Sequence, residues 1–470
     1  MAIQVYNTLT RKMEEFEPLH GNRVNMFVCG VTPYDYTHLG HAKTYIAFDT
    51  IAKYLRYRGY SVFYIQNVTD VDDHLINRSK ETGESEAELA EKFFKLFIED
   101  MTALGMDSVN LYAYATEHVP EIVEQIEGLI KKGYAYESNG SVYFEVGKFS
   151  EFGKLSKQVL EKLRPGARVE VDENKRNPED FALWKAEKPG EPTWDSPWGK
   201  GRPGWHIEDT AIAMAYFGEQ YDIHGGATEL IFPHHESEVA QAEALTGKKP
   251  FVKYWLHTGV LNVKGEKMSK SLNNFWRVQE ALEEYEPDVL RFFLVNAHYR
   301  SPVDYTDEVL EEAKQGYERL VETVQNVRFA LKMQAKDERT SEDDEVDKAV
   351  KEVMQKFEES MDNDFNTREA ISHLFTFSTK VNAALSKGLT RESLEGVLKA
   401  YRTIGDVLGL FKKGIEKEDV VDGLMEFLVE MREKAREEKN FEVSDEIRDR
   451  LAKIGILLED TKDGPRWKKR

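Results

Sequence analysis

Two short motifs in the sequence combine residues that can stabilise phosphoryl chemistry. The first is His38-Leu39-Gly40-His41, which lies between an apolar run ending in glycine and a segment with apolar residues at helical spacing. It therefore begins a predicted helix, and a helix N-terminus binds phosphate through its free N–H groups. Gly40 lets a nucleotide approach the backbone, and imidazoles can donate to phosphoryl oxygens as charge builds. The string by itself fits histidines that merely cap a helix equally well.

The second motif is Lys267-Met268-Ser269-Lys270-Ser271, in a glycine-bearing loop that follows the apolar segment YWLHTGVLNV. Its two lysines can approach a triphosphate as mobile point charges. Taken alone, the string is equally a solvated Lys/Ser loop. The neighbouring Gly265 is the basis for a hypothesis that this loop closes over ATP.

Elements that can hold these motifs are visible around them. Residues 24–30 read as a buried strand, Ala47, Ile51 and Leu55 have helical spacing, and SVFYIQNV reads as a second strand. Strand, turn, helix and strand form a βαβ unit, which favours a parallel sheet with a right-handed crossover. Strand character returns at YDIHGG and YWLHTGVLNV, which flank the predicted helix PHHESEVAQAEAL.

Size, charge and cysteine content exclude several classes of protein. The 470 residues predict two to four domains. The formal net charge of −21 argues against non-specific nucleic-acid binding through the overall field, although a local basic groove stays compatible. The single cysteine, Cys29, excludes an intramolecular disulfide. We find neither a bilayer-spanning apolar run nor a secretory signal, so we expect a cytoplasmic protein that does not cross a membrane.

Together the two motifs resemble the paired signatures of class I aminoacyl-tRNA synthetases. The resemblance implies an α/β fold: a Rossmann-type parallel-sheet catalytic domain with an inserted acceptor-binding region, then a helical bundle and a small C-terminal anticodon-binding domain. It implies catalytic roles for His38, His41, Lys267 and Lys270. For ATP binding it implies His38, Gly40, His41, Glu229, Lys267 and Lys270, with Mg²⁺ accompanying the nucleotide. Glu229 stands where that family usually has aspartate.

Further segments resemble cysteinyl-tRNA synthetases in particular, nearly end to end. They are MFVCGVTPYDYTHLGHAKTYIAFD, NVTDVDDHLINR, GRPGWHIE, DIHGG, FPHHESEVAQ, HYRSPVDY and MDNDFNT. The resemblance implies ATP, L-cysteine and tRNA-Cys as partners, and cysteinyl-adenylate as intermediate. We expect the catalytic domain at 1–115 and 198–306, the insertion at 116–197, the bundle at 307–414 and the anticodon-binding domain at 415–470. A monomer is our default expectation.

The resemblance also implies one zinc ion at the base of the amino-acid pocket. The family's ligand positions fall on Cys29, Asp209, His234 and Glu238, and the last two are spaced to share one helix face. Asp209 departs from the pattern, since the family has a second cysteine there, and it makes the ligand set harder. Three interpretations stay open: direct ligation by Asp209, substitution by His206 or His235, or weak metal binding completed by water. Absence of metal is a fourth.

The remaining site residues are also implied by the resemblance. Cys29, Thr69, Trp205 and His224 would shape the cysteine pocket. A metal that binds the substrate thiolate would reject serine and alanine without an editing site. Arg436, Asp445, Asp460 and Trp467 would contact or neighbour the anticodon bases, whose edges are exposed in a single-stranded loop. Ordinary exposed helix charges are the alternative for Asp445.

Two other functions fit parts of the sequence. A ligase joining activated cysteine to an amino-sugar would keep the catalytic domain but lack the terminal anticodon unit, which FEVSDEIRDRLAKIGILLEDTKDGPRWKK resembles. A non-catalytic RNA-binding paralogue would be favoured only by Asp209, since both signature motifs are intact. We therefore predict a cysteine–tRNA ligase.

Overall fold

The computed structural model describes residues 2–158, 173–263, 266–267, 275–411, 420–461 and 464–469. The strands in chain order are β1 (Gln4–Asn7), β2 (Lys12–Glu15), β3 (Arg23–Val31), β4 (Ser61–Val68), β5 (Leu111–Tyr114), β6 (Ala135–Ser138), β7 (Ser141–Phe144), β8 (Phe181–Ala186), β9 (Gly201–Pro203), β10 (Tyr221–Ala227), β11 (Val252–Thr258), β12 (Leu261–Val263), β13 (Glu266–Lys267), β14 (Val303–Tyr305), β15 (Ile456–Thr461) and β16 (Gly464–Lys469).

The helices follow the same numbering. They are α1 (Leu39–Tyr57), α2 (Asp73–Thr82), α3 (Glu86–Ala103), α4 (Val119–Lys131), α5 (Trp205–Phe217), α6 (Glu236–Thr246), α7 (Val278–Glu284), α8 (Pro287–Val295), α9 (Asp307–Met333), α10 (Ser341–Asp362), α11 (Thr367–Leu385), α12 (Arg391–Leu408), α13 (Val420–Glu437) and α14 (Phe441–Lys453). Among the described residues no helix is both long enough and apolar enough to cross a membrane.

The largest sheet of the described residues has five strands in the order β11-β10-β3-β4-β5, and every neighbouring pair in it is parallel. This confirms the predicted Rossmann-type sheet. The chain leaves β3 outward through β4 and β5 and later returns to the other side of β3 through β10 and β11. The order therefore reverses between β3 and β10, and ligands of such sheets bind beyond the carboxyl ends of the strands at this point.

Small residues at the carboxyl end of β10 allow its neighbours to pack closely. A Cβ atom added to Gly225 would lie 2.4 Å from the Phe48 ring of α1. One added to Gly226 would lie 2.7 Å from the ring of His235, so helices approach the strand from both faces of the sheet. Close packing therefore explains why both of these positions in the DIHGG segment are glycine.

One predicted element is wrong in detail. YWLHTGVLNV was expected as a single strand, but it divides into β11 in the parallel sheet and β12 in a three-stranded sheet ordered β13-β12-β14. The division falls at Gly259, where an added Cβ atom would lie 2.5 Å from the backbone of Arg300 and Ser301. The backbone of residues 300 and 301 therefore leaves no room for a side chain at this position.

An antiparallel sheet ordered β6-β7-β8-β9 interrupts the two halves of the parallel sheet. A buried apolar cluster joins it to α4, α5 and α6 through residues such as Leu129, Phe144, Trp184, Ile207 and Ala240. The helices that carry the predicted metal ligands are therefore packed between this sheet and the parallel one. The predicted domain boundaries stay predictions.

The chain divides into two compact units. The first comprises Met1–Leu320, Lys351–Phe377 and Thr403–Leu410, and the second comprises Val321–Val350, Ser378–Arg402 and Phe411–Arg470. Within the second unit, α13, α14 and the antiparallel hairpin β15-β16 surround a small core of Met425, Leu451 and Ile456.

Within the first unit, the MDNDFNT segment is bound to the HYRSPVDY segment through one carboxylate. Asp364 accepts hydrogen bonds from the Tyr6 backbone N–H at 2.8 Å, the Tyr299 hydroxyl at 2.9 Å and Arg300 Nε at 2.6 Å. Asp364 is buried. Two segments far apart in the sequence are thus joined through this one buried carboxylate.

Candidate active site and metal centre

Four side chains with metal-binding atoms converge beyond the carboxyl end of β3. Cys29 Sγ lies 3.0 Å from Asp209 Oδ2, and His234 Nε2 lies 3.3 Å from both Asp209 Oδ2 and Glu238 Oε1. All four residues are buried. Together with His224 and His235, these residues fall into two groups, and within each group the possible ligand atoms all lie within 4.8 Å of one another. One group is Cys29, His234, His235 and Glu238, and the other is Asp209, His224 and Glu238. The structure therefore brings together the four residues predicted as ligands.

The local backbone explains how His234 and Glu238 meet. The five residues Ile231–His235 form a wide π-type turn, and α6 begins only at Glu236. His234 thus precedes the helix on which it was expected to lie, although the four-residue spacing still directs its imidazole to the Glu238 carboxylate. Wide turns of this kind occur frequently at functional sites.

The ring nitrogens of His234 and His235 each contact another imidazole. His206 Nδ1 lies 2.7 Å from His234 Nδ1, and His257 Nε2 lies 2.8 Å from His235 Nδ1. His257 is bound in turn to the Thr8 hydroxyl at 2.8 Å. Such partners orient metal-binding rings and select their tautomers. Of the two substitute ligands considered for Asp209, His206 is engaged with His234, whereas His235 belongs to the cluster itself.

The charges of the cluster fit a bound cation. Glu208, Asp209 and Glu238 are all at most 1% exposed, and both oxygens of Glu238 lack a hydrogen-bond partner. Among the described residues these carboxylates form no ion pair with lysine or arginine. A buried carboxylate without a hydrogen-bond partner is costly, so the Glu238 carboxylate suits a divalent metal.

The protonation preferences of the apo cluster follow from the same crowding. Burial, with the neighbouring Asp209 carboxylate, raises the pKa of the Cys29 thiol and of Glu238. Burial also lowers the pKa of His224 and His235, and adjacent imidazoles add to this effect. Neutral imidazoles are the form that binds metal, and a metal would displace the protons from the thiol and the carboxyl.

The first signature motif lies at the start of α1, as predicted. His38 caps the helix, its Nδ1 accepting from the His41 backbone N–H at 3.2 Å, and the two rings stack with centroids 3.6 Å apart. Gly40 occupies the first turn. The backbone of 276–278 pairs with this turn, Leu39 N–H donating to Trp276 O at 3.0 Å and Val278 N–H to Thr37 O at 2.9 Å. The segment that follows the second motif is therefore bound to the first.

The second motif is described only in part. Lys267 lies at the end of β13, where its backbone pairs with Asn262 of β12, and Lys270 lies outside the described residues. Glu229 lies on an exposed turn directly after β10. The roles predicted for these three residues stay predictions.

The predicted cysteine-pocket residues surround the donor cluster. Trp205 is 40% exposed and stacks on the His234 ring with centroids 4.2 Å apart. His224 Nδ1 lies 2.6 Å from the Tyr221 hydroxyl and 3.5 Å from Glu238 Oε2. Thr69 is buried on the other side and donates to Glu208 Oε1 at 3.0 Å.

Comparison with protein-family models covers most of the chain. Residues 15–315 match the class I (C) catalytic domain of tRNA synthetases, residues 356–412 the DALR domain, and residues 425–467 the anticodon-binding domain of cysteinyl-tRNA ligase. The cysteine–tRNA ligase of Thermococcus onnurineus is 52% identical over 100% of this chain and 99% of that protein. The cysteine–tRNA ligase of Geobacillus sp. is 48% identical over the same shares. The chain belongs to the cysteine–tRNA ligase family.

Solved structures of other class I members share the fold. Mycobacterium tuberculosis methionyl-tRNA synthetase with bound methionyl-adenylate superposes with a TM-score of 0.64 at 15% identity, covering 82% of this chain and 92% of that one. Thermus thermophilus arginyl-tRNA synthetase gives a TM-score of 0.54 at 15% identity, covering 86% and 84%. The fold class predicted from the two signature motifs is thereby confirmed.

The predicted anticodon residues are placed on three elements of the C-terminal region. Arg436 lies in the last turn of α13, and its guanidinium is 3.6 Å from Glu433. Asp445 on α14 forms an exposed pair with Arg448 at 3.2 Å. Trp467 on β16 packs against the small core, and the side chain of Asp460 lies outside the described residues. These contacts favour neither anticodon readout nor ordinary surface charges, so the roles stay predictions.

Three residues that sequence reasoning missed organise the site. Asn67 donates to Asp209 Oδ1 at 2.7 Å and accepts from the Gly30 N–H at 2.5 Å, which fixes the ends of β3 and β4 around the cluster. Glu208 contacts Thr69, and Glu236 binds the insertion. All three lie in segments that carry the family resemblance, namely NVTDVDDHLINR, GRPGWHIE and FPHHESEVAQ. Within those segments only their burial in the folded chain distinguishes them from surface residues.

Glu236 is expected to hold residues 153–156 onto the start of α6. Its fully buried carboxylate accepts from the backbone N–H groups of Gly153 at 2.8 Å, Leu155 at 3.1 Å and Ser156 at 2.7 Å. In Glu236→Gln an amide replaces one acceptor oxygen, so at least one N–H loses its partner. We expect the free energy of unfolding to fall by about 2–3 kcal/mol. Urea unfolding measures this change.

Hydrogen exchange at the same amides makes the test specific. Exchange at Gly153, Leu155 and Ser156 should accelerate in the variant relative to the rest of the chain. Glu219→Gln, an exposed position just beyond α5, is the control and should change neither quantity. If the free energy of unfolding fell by less than about 0.5 kcal/mol and hydrogen exchange at these amides were unchanged, Glu236 would not hold residues 153–156 in place.

Proposed function

We propose that the chain activates L-cysteine with ATP to cysteinyl-adenylate and transfers it to the 3′-terminal adenosine of tRNA-Cys, releasing AMP and pyrophosphate. The single observation that carries this proposal is the buried donor cluster of Cys29, Asp209, His234 and Glu238 beside the nucleotide-binding turn of α1. Membership of the family supplies the reaction class, and the cluster supplies the reason for thiol selectivity.

In this proposal one zinc ion is held by Cys29, Asp209, His234 and Glu238. When bound, zinc supplies a Lewis acid that takes the substrate thiolate as an additional ligand. Asp209 is proposed as a direct ligand because Oδ2 faces both Cys29 Sγ and His234 Nε2. Serine and alanine offer no comparable ligand, so the pocket discriminates at the binding step.

The chain's own residues orient the reaction. The N-terminus of α1 and the imidazoles of His38 and His41 would stabilise the phosphate charge that develops during the reaction, as helix N-termini and positioned donors do elsewhere. Lys267 and Lys270 would hold the pyrophosphate together with Mg²⁺. The cysteine carboxylate then attacks the α-phosphate in line, and in the second step a terminal ribose hydroxyl of the tRNA attacks the adenylate.

Cysteine-dependent ATP–pyrophosphate exchange on the purified chain tests this function, with zinc measured on the same sample. We expect exchange with cysteine but not with serine, at about one zinc per chain. Exchange without zinc would keep the activation step and refute the proposed basis of thiol selectivity. The acceptor is tested separately by charging tRNA-Cys, since a ligase for an amino-sugar would show exchange without charging. Absence of exchange in a sample that binds tRNA would favour a non-catalytic paralogue.

A further inference from the structure

Glu208 is a buried acid that neither the metal cluster nor the nucleotide site uses. It lies on α5 next to Asp209 and is 1% exposed. Its Oε1 accepts a hydrogen bond from the Thr69 hydroxyl at 3.0 Å, whereas its Oε2 is buried without a hydrogen-bond partner. Leaving a carboxylate oxygen in this state costs on the order of 1–3 kcal/mol or more.

The charges around Glu208 do not compensate it. The nearby groups that act on it electrostatically are Asp209, Asp72 and Asp70, all of them acidic. Two of these acids already have structural partners: Asp70 binds the Thr116 hydroxyl at 2.5 Å, and Asp72 caps α2 by accepting from the His74 N–H at 2.8 Å. Among the described residues no lysine or arginine pairs with Glu208. Glu208 Oε2 is therefore a buried acceptor that no described side chain satisfies, and a positive group of a bound substrate would satisfy it.

The position of Glu208 indicates which group that is. The Thr69 hydroxyl that donates to Glu208 accepts from Asn67 Nδ2 at 3.3 Å, and the same amide donates to Asp209 Oδ1 at 2.7 Å. Glu208 is thus two side chains away from the cluster proposed to receive the substrate sulfur. In cysteine only two carbon atoms separate the sulfur from the α-ammonium nitrogen, so a substrate bound at the cluster carries its positive charge into this neighbourhood.

We propose that the Glu208 carboxylate is the subsite for the α-ammonium group of the substrate. It is a specificity-determining residue that selects an α-amino acid over a thiol acid without an amine. Thr69 orients the carboxylate by donating to Oε1, which leaves Oε2 for the ammonium. This inference rests on the proposed function, because it assigns one more group of the same substrate.

The test compares two ligands that differ only in the amino group. The variant Glu208→Gln keeps the size of the side chain and the oxygen that accepts from Thr69. We expect the KM for cysteine in pyrophosphate exchange to rise about 10- to 100-fold, because the variant loses a charge-assisted hydrogen bond to the ammonium group. The inhibition constant of 3-mercaptopropionate, which is cysteine without its amine, should stay within about threefold because it never contacts Glu208.

Zinc content and two further variants distinguish this subsite from a structural role. Zinc per chain should be unchanged in Glu208→Gln, and Glu219→Gln, on the exposed turn after α5, should behave as the parent. Glu208→Asp keeps the charge and tests the same subsite with a conservative change if the glutamine variant does not fold. Its expected KM lies between those of the parent and Glu208→Gln.

Three results would overturn the subsite. An unchanged KM for cysteine in a folded Glu208→Gln variant shows that the ammonium does not depend on this carboxylate. Equal weakening of cysteine and 3-mercaptopropionate, with loss of zinc, shows that Glu208 supports the metal centre. A parent chain without exchange would refute the proposed function and this subsite with it, whereas an active parent with an unaffected variant refutes the subsite alone.

Discussion

If Asp209 ligates zinc as proposed, Asp209→Ala is expected to lose zinc and to lower kcat/KM for cysteine on the order of 10³-fold, equivalent to about 4 kcal/mol of transition-state stabilisation. Asp209 Oδ2 is the atom that contacts both Cys29 Sγ and His234 Nε2, so its removal leaves those two ligands without their bridging neighbour. Zinc content by metal analysis and cysteine-dependent exchange on one preparation measure both effects. Glu219→Ala is the matched control at an exposed position of the same region.

Asp209→Cys tests whether the position is a ligand or merely a charge. The family has cysteine here, and thiolate is a softer ligand than carboxylate and therefore better suited to zinc. We expect this variant to retain zinc against a chelator at least as long as the parent and to keep exchange activity within about tenfold. If Asp209→Ala kept full zinc occupancy and activity, ligation would belong to His235 or to water instead.

Arg291→Met is expected to destabilise the chain by about 3–5 kcal/mol, the cost of leaving a buried charge unpaired. Arg291 is 1% exposed and donates to Asp49 Oδ2 at 2.6 Å, to Leu408 O at 2.7 Å and to Leu104 O at 2.9 Å. It thus joins α1 to the ends of α3 and α12. A Cβ atom at Gly409, whose φ is +71°, would lie 2.2 Å from the guanidinium, so this position requires glycine.

Urea unfolding of three variants separates the ion pair from simple loss of volume. Arg78→Met removes a half-buried arginine whose pair with the exposed Glu81, at 3.1 Å, is open to solvent, and it should cost less than about 0.5 kcal/mol. Adding Asp49→Asn to Arg291→Met removes the stranded carboxylate and should recover part of the loss. A loss below about 1 kcal/mol in Arg291→Met alone would show that the pair contributes little.

Because of the Arg291–Asp49 pair, we expect the free energy of unfolding to depend on pH. Burial raises the pKa of Asp49, but the Arg291 and Lys53 cations outweigh this effect and lower it from 3.8 to about 2. A carboxyl with a depressed pKa stabilises the fold above its unfolded pKa and loses that contribution as pH falls through the folded value. About 2 kcal/mol should therefore disappear between pH 4 and pH 2. Because the variant lacks the Arg291 part of this contribution and keeps only that of Lys53, the difference in unfolding free energy between parent and Arg291→Met should shrink over that interval.

Local sequence patterns were sufficient for much of the fold. The apolar run of β3, the helical spacing of α1 and the run of β4 predicted the βαβ unit, because the hydrophobic period of an isolated element depends only on its neighbours in the chain. The His38-Leu39-Gly40-His41 motif was placed correctly at a helix start for the same reason. The single strand predicted for YWLHTGVLNV was wrong because the residues after Gly259 pair with β14, a strand distant in sequence, instead of continuing in the parallel sheet.

By itself the sequence determined the family and the Rossmann-type sheet, since motifs and periodicity are properties of the chain, and it supplied the donor residues as a prediction. Only the tertiary structure decided that Cys29 and Asp209, 180 positions apart, lie in contact. It alone separated Glu208, Glu236 and Arg291 from the many charged residues that lie on the surface. The physical reason is that the cost of a charge depends on burial and on the partners around it, and both arise only when distant segments pack together.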